Sequence, residues 1–159
     1  SSPTQGNGIR GAASSTRGIL GGGGNPTIVN TIEYITIATT GDAQDFGDLT
    51  VARRKHASMS NSTRALFGGG ENPGNSDVID YVTIASLGDA IDFGNLTIAR
   101  DNLAGASTQA RGIFAGGDPA TDRIDFVTIS SVGDATDFGN LIAATDRFTG
   151  LSDSHGGLG

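Results

Sequence analysis

The chain has 159 residues, 26 of them glycine, no cysteine, and a formal net charge of −7. That length makes one domain of ordinary size, and the missing cysteine excludes a disulfide framework, a thiolate nucleophile and a Cys-based zinc site. The acidic balance argues against nucleic acid and anionic membrane as partners, and no apolar run approaches the roughly 18 residues of a membrane-spanning helix.

The composition is that of strands and turns. All of the 17 acidic residues except Glu33 and Glu71 are aspartate, and Lys55 is the single lysine among 10 cationic residues. Asp favours turns and caps, whereas Glu and Lys favour helices. Glycine stands well above its typical ~7% but follows no Gly-X-Y period, which excludes collagen. The opening Ser1-Ser2-Pro3-Thr4, without Met, reads as a processed product or a segment of something longer.

In chain order, Gly8 to Ser14 is predicted as a strand of small residues, and Arg17-Gly18-Ile19-Leu20-Gly21-Gly22 as the next strand with its turn. The second block recurs as Arg64-Ala65-Leu66-Phe67-Gly68-Gly69 and Arg111-Gly112-Ile113-Phe114-Ala115-Gly116, 47 residues apart each time. Ile32-Glu33-Tyr34-Ile35-Thr36-Ile37 follows and returns from Ile79 and from Ile124. Gly41 to Leu49 comes next and returns from Gly88 and from Gly133. Three blocks repeating in one order define the organisation. The domain is single, 1–159, with units of about 8–53, 54–100 and 101–147 and a partial fourth at 148–159. In that partial unit Phe148 to Ser152 repeats the small-residue strand, and His155-Gly156-Gly157-Leu158-Gly159 begins the strand after it.

Each unit is predicted to hold four strands. Ile79, Tyr81 and Thr83 alternate with Val82 and Ile84, so both faces of that strand are apolar and both must be covered. Stacked sheets provide the cover, and the Gly, Ala and Ser residues of segments such as Asp101 to Ser107 suit a crowded innermost strand. Eight of the nine aromatics fall in three columns: Tyr34, Tyr81 and Phe126; Phe46, Phe93 and Phe138; and Phe67 and Phe114 opposite Leu20. Such regularity marks them as structural core.

This pattern resembles the kelch repeat of β-propellers, whose units carry a glycine doublet, two aromatics, and often an Arg opening the next unit. Gly68-Gly69, Tyr81, Phe93 and Arg100 fill those places. The resemblance covers nearly the whole chain. It departs where Phe replaces the usual Trp and where Thr145 stands in place of Arg53 and Arg100. The variant Gly-Asp-Ala-x-Asp-Phe-Gly-Asp/Asn-Leu is similar to one found in long glycine-rich repeat proteins of marine bacteriophages and bacteria. The resemblance implies an all-β fold of kelch-like propeller blades, and a virion or extracellular location. Propellers close with about four to eight blades, so three units plus a partial fourth are expected to be completed by oligomerisation, as a two-chain ring or a head-to-tail filament. A fragment of a longer propeller is the other reading.

No catalytic group or cofactor site is legible. Asp42, Asp45 and Asp48, with Asp89, Asp92, Asp134 and Asp137 repeating them, offer oxygens to calcium, but their spacing matches no EF-hand-like loop; turn capping and pairing with arginine is the plainer reading. Arg17, Arg64 and Arg111 recur once per unit and are read as structural, each bridging a carboxylate such as Asp45, Asp92 or Asp137 and backbone carbonyls. Gly21 to Gly24 lacks the Gly-Lys-Ser/Thr ending of a phosphate loop and is read as a turn. Asp153-Ser154-His155 holds triad residue types that as neighbours cannot relay a proton. His56, in Arg53-Arg54-Lys55-His56, is expected in a solvated basic turn. Asn61-Ser62-Thr63 and Asn95-Leu96-Thr97 fit the glycosylation sequon. The segments that differ between units carry Asn25, then Glu71, Asn72 and Asn75, then Asp118, Asp122 and Arg123, which on one rim would suit a ligand such as a cell-surface glycan. Ordinary Pro-containing turns are the alternative.

The function expected is a non-enzymatic structural or adhesive module of a phage tail appendage or secreted fibre, self-assembling and serving host recognition. A protein-binding kelch-like propeller is the alternative. A carbohydrate-active enzyme is the remaining class, disfavoured because its paired carboxylates would be unique to one cleft rather than repeated.

Overall fold

The computed structural model describes residues 8–24, 26–147 and 149–150. Asn25, Phe148 and 151–159, hence Asp153-Ser154-His155 and most of the partial fourth unit, lie outside the described residues. Twelve strands and no helix form among those described. The first sheet holds β1 (Arg10–Ala13), β2 (Arg17–Gly21), β3 (Thr31–Thr36) and β4 (Gln44–Asp48). The second holds β5 (Ala57–Ser60), β6 (Arg64–Gly68), β7 (Val78–Thr83) and β8 (Ile91–Asn95). The third holds β9 (Ala104–Ser107), β10 (Arg111–Ala115), β11 (Thr121–Thr128) and β12 (Thr136–Thr145). Each sheet is a four-stranded antiparallel meander in chain order, a propeller-like blade, here numbered 1 to 3. The all-β expectation and the four strands per unit hold.

One irregularity recurs. Ile32 pairs with Gly47 but Glu33 with Asp45, so Phe46 is skipped; the same shift skips Phe93 and Phe138. A bulge bends its strand and re-aims a side chain. Here the extra residue is the aromatic, which turns onto the ring of the neighbouring strand: Tyr34–Phe46 at 6.0 Å, Tyr81–Phe93 at 5.8 Å, Phe126–Phe138 at 5.9 Å, all edge-to-face.

The core is two layers between blades. Ile19, Ile32, Phe46 and Leu49 of blade 1 and its linker meet Ala65, Phe67, Val82 and Ile84 of blade 2 and its turn. Leu66, Ile79, Phe93 and Leu96 meet Phe114, Val127 and Ile129 in the same way. Gly68 makes the second layer possible. A Cβ there would lie 2.5 Å from the Phe114 ring, and one at Gly21 would lie 3.1 Å from Phe67. Each buried Phe contributes about 1.5–3 kcal/mol.

Near the axis the innermost strands touch through serine. Ser60 Oγ donates to Ala13 O at 2.7 Å, and Ser107 Oγ to Ser60 O at 2.8 Å. Two residues before each innermost strand the backbone takes positive φ, at Gly8 (84°), Lys55 (58°) and Asn102 (52°). Their backbones form a ladder, Lys55 N–H to Gly8 O (2.9 Å) and Asn102 N–H to Lys55 O (2.8 Å). Arg147 (φ 57°) adds the next rung, donating to Asn102 O at 3.0 Å.

Candidate functional site

The joint between blades 1 and 2 is built again between blades 2 and 3. At its outer edge the hairpin of the later blade rests on a glycine of the earlier one. Gly88 N–H donates to Phe46 O and Ala90 N–H to Asp48 O, both at 2.8 Å, and Asp89 Oδ1 accepts from Asp48 N–H at 3.0 Å. Gly133 and Ala135 repeat this on Phe93 and Asn95, with Asp134 accepting from Asn95 N–H at 2.9 Å. A Cβ on Gly47 or Gly94 would collide with the hairpin backbone seated there.

Deeper, the linker arginine is a buried latch. Arg53 Nη2 donates to Phe67 O (3.0 Å) and pairs with Asp80 Oδ2 (2.9 Å); Arg100 donates to Phe114 O (3.2 Å) and pairs with Asp125 Oδ2 (3.0 Å). Both pairs are fully buried, and burial lowers each arginine pKa against the pull of its carboxylate. Thr50 and Thr97 complete the two aspartates through their hydroxyls and amides. Breaking such a pair strands a buried charge, so the latch fixes which blades meet and how.

The repeated Arg17, Arg64 and Arg111 do something else. Each guanidinium lies over the aromatic of its own blade, 5.0 Å from Tyr34, 4.5 Å from Tyr81 and 4.8 Å from Phe126. Arg17 reaches across to Ile84 O (2.8 Å) and Arg64 to Ile129 O (2.9 Å). The carbonyl half of the expectation holds for Arg17 and Arg64. The carboxylate half needs correction: Asp45 and Asp92 make no ion pair with them, Asp137 lies near Arg123 at 4.0 Å, and the paired aspartates are Asp80 and Asp125.

The end blades carry unused halves of this joint. On blade 1, the positions equivalent to Ala65, Phe67, Val82 and Ile84 are Gly18, Leu20, Ile35 and Ile37; Ile35 is 40% and Ile37 52% exposed. On blade 3, Phe138 is 53% exposed, whereas Phe46 and Phe93 are 3% exposed. Gly139, the equivalent of Gly47 and Gly94, has nothing within 4 Å of its Cβ direction, and the Gly41 hairpin would be the matching knob. Phe138 is therefore no core residue, against its column, because no described blade covers it.

The rim segments are occupied by the protein itself. Asn72 Nδ2 donates to Ala52 O (2.9 Å) and Asn75 Nδ2 to Asp118 O (2.7 Å), the latter between blades 2 and 3. Glu71 takes Arg54 at 2.9 Å and Lys55 at 2.7 Å, and that contact with Lys55 holds its carboxyl below the usual range. Burial pushes the nearby Asp101 up, with Lys55 at 3.4 Å opposing. Arg123 Nη1 lies 3.4 Å from Thr97 Oγ1, while Asp122 is half-buried beside it. Asp42, Asp45, Asp48, Asp89, Asp92, Asp134 and Asp137 are all exposed, and among the described residues no three His, Asp or Glu side chains gather to hold a metal.

Two residues that the sequence placed at the surface are buried. His56 and Arg53 are each 0% exposed, so Arg53-Arg54-Lys55-His56 is no solvated patch. Lys55 turns the chain through positive φ, sending His56 inward against Phe67 at 5.7 Å. Neither imidazole nitrogen has a hydrogen-bond partner, and burial, with Arg53 and Arg10 nearby, puts its pKa well below the ordinary value. Asn61 is also engaged, donating to Gln109 O at 3.0 Å and accepting from Arg64 N–H at 2.8 Å, so its sequon is not presented.

Neither a scan against protein-family models nor a search of curated proteins finds a match to the chain.

Proposed function

We propose that the chain is a non-enzymatic structural module that joins copies of itself through its two open blade faces, as part of a virion appendage or secreted surface fibre. One observation carries the reading: the joint between blades 1 and 2 recurs between blades 2 and 3, and its two halves stand open at opposite ends. The halves share the apolar layer and the glycine seat, but not the latch: Thr145 stands where Arg53 and Arg100 do, and Glu33 where Asp80 and Asp125 do. Inside the molecule a Phe lies against a Gly; at the ends Leu20 stands in the Phe column, while Ala115, in the Gly column, is already buried and the open part of blade 3 is at Phe138. A heterologous contact of this kind gives a ring where its rotation closes and a filament where it does not. The kelch-like resemblance and the phage or bacterial surface setting belong to the same proposal, as does glycan recognition by Asp118, Asp122 and Arg123.

Light scattering across a concentration series tests it, on the chain and on Phe138→Ser. The expected result is a mass rising to a two-chain ring or a filament for the chain, with the variant staying monomeric. Loss of the edge-to-face contact with Phe126 should cost the variant about 0.5–1.5 kcal/mol of its own stability, which leaves it folded. A chain monomeric throughout, or a variant that assembles equally well, overturns the reading.

A further inference from the structure

The innermost place on the open face of blade 3 is already taken. Arg147 follows Gly8, Lys55 and Asn102 in backbone conformation and in the ladder, so it stands where a fourth innermost strand would begin. Gly150 lies three residues beyond Arg147, as Gly105 lies three beyond Asn102. The Cβ direction of Gly105 points at Ser58 O of the preceding strand at 2.7 Å, and that of Gly150 points at Gly105 O in closer contact still. Thr149 and Gly150 thus lie along β9 as β9 lies along β5. With Ile9, Ala57 and Leu103 they line an axial cavity of about 240 Å³.

A second copy docking blade 1 on blade 3 in the register of the internal joints would bring its own Gly8 N–H to Asn102 O. Arg147 N–H holds that oxygen. The outer part of the same face, at Phe138 and Gly139, is open. The geometry points to an internal competitor: Arg147, Thr149 and Gly150 occupy the axial end of the docking face and hold assembly down until an incoming copy displaces them. This rests on the assembly reading above and adds to it a specific brake. A binding-competent state that is only partly populated weakens apparent affinity by that fraction, and freeing the face restores it.

The test is Gly150→Val in the full chain, whose Cβ cannot coexist with Gly105 O, with Gly74→Val as control because that position has open space. Circular dichroism confirms that both fold. Light scattering should show Gly150→Val assembling at roughly tenfold lower concentration than the chain, and Gly74→Val at the same concentration. Hydrogen exchange gives a second readout that needs no variant: the Arg147 amide should lose protection as the chain assembles. Unchanged or weakened assembly of Gly150→Val, or an Arg147 amide that stays protected in the assembled chain, overturns the competitor while leaving the open-face reading intact. Absence of association in both proteins overturns the two together.

Discussion

Replacing His56 by Leu should stabilise the protein, and by more as the pH falls. His56 occupies a column whose other members are Ile9 and Leu103, so an aliphatic side chain suits the site in the neighbouring blades. Its two ring nitrogens are buried with no hydrogen-bond partner, and leaving such a group unsatisfied costs about 1–3 kcal/mol. At pH 7.5, His56→Leu should therefore gain an amount in that range, or about 2–4 °C in Tm per kcal/mol for a chain of this size. The pH dependence has a fixed sign. Burial, with Arg53 and Arg10 nearby, lowers the folded-state pKa well below 6.5, so below pH 6.5 the unfolded chain binds a proton the folded one refuses. Stability is fully present above pH 6.5. It is lost as pH falls towards the folded-state value, at about 1.4 kcal/mol per pH unit. Urea unfolding of both proteins from pH 7.5 to 5 isolates this, since the difference between them cancels the other titrating groups. A variant less stable than the parent by more than about 1 kcal/mol, or a difference that does not widen below pH 6.5, would refute the reasoning.

The latch and the aromatic layer yield two further expectations. Arg100→Met strands Asp125 in the core and should cost about 3–5 kcal/mol by guanidinium unfolding, with Asp125→Asn added in the same chain recovering about 1 kcal/mol or more. A double variant no better than the single would show that the charge pair is not what the site requires. Gly68→Ala forces a methyl against Phe114 and should cost about 1–3 kcal/mol, but less in a Phe114→Leu background, with a coupling energy of at least about 0.5 kcal/mol. Strict additivity of the two substitutions would show that the Cβ does not meet the ring.

Strand number and order were legible because three blocks recur at fixed spacing and each alternates apolar residues at period two. The joint was not, and the reasons are local. Two acidic columns recur once per unit, Asp45/Asp92/Asp137 and Glu33/Asp80/Asp125, and repetition alone does not say which one meets an arginine. Position across the sheet decides it: Asp80, on β7, is buried beside Arg53, whereas Asp92, paired with it from the outermost strand β8, is exposed. His56 departs from its expected place for a related reason. Four polar residues in a row look solvated until one of them, Lys55, takes positive φ and reverses the chain direction. A signal existed in the aliphatic residues 47 positions to either side. Phe138 shows the limit of a column argument: equal spacing gives equal geometry, whereas burial depends on having a neighbour.

Blade 2 differs from the other two in having a described neighbour on each side. Its Phe67 reaches back onto Gly21 and its Gly68 receives Phe114 from ahead, so consecutive residues of β6 serve both joints. Loss of either end blade strips one face of it and leaves the other joint whole. In a stack held by nearest neighbours, loosening then begins at the ends and travels inward, and the middle unit is the last to let go. Such a molecule behaves less like a closed ring, where one broken seam weakens every part, than like a short column with its keystone in the centre.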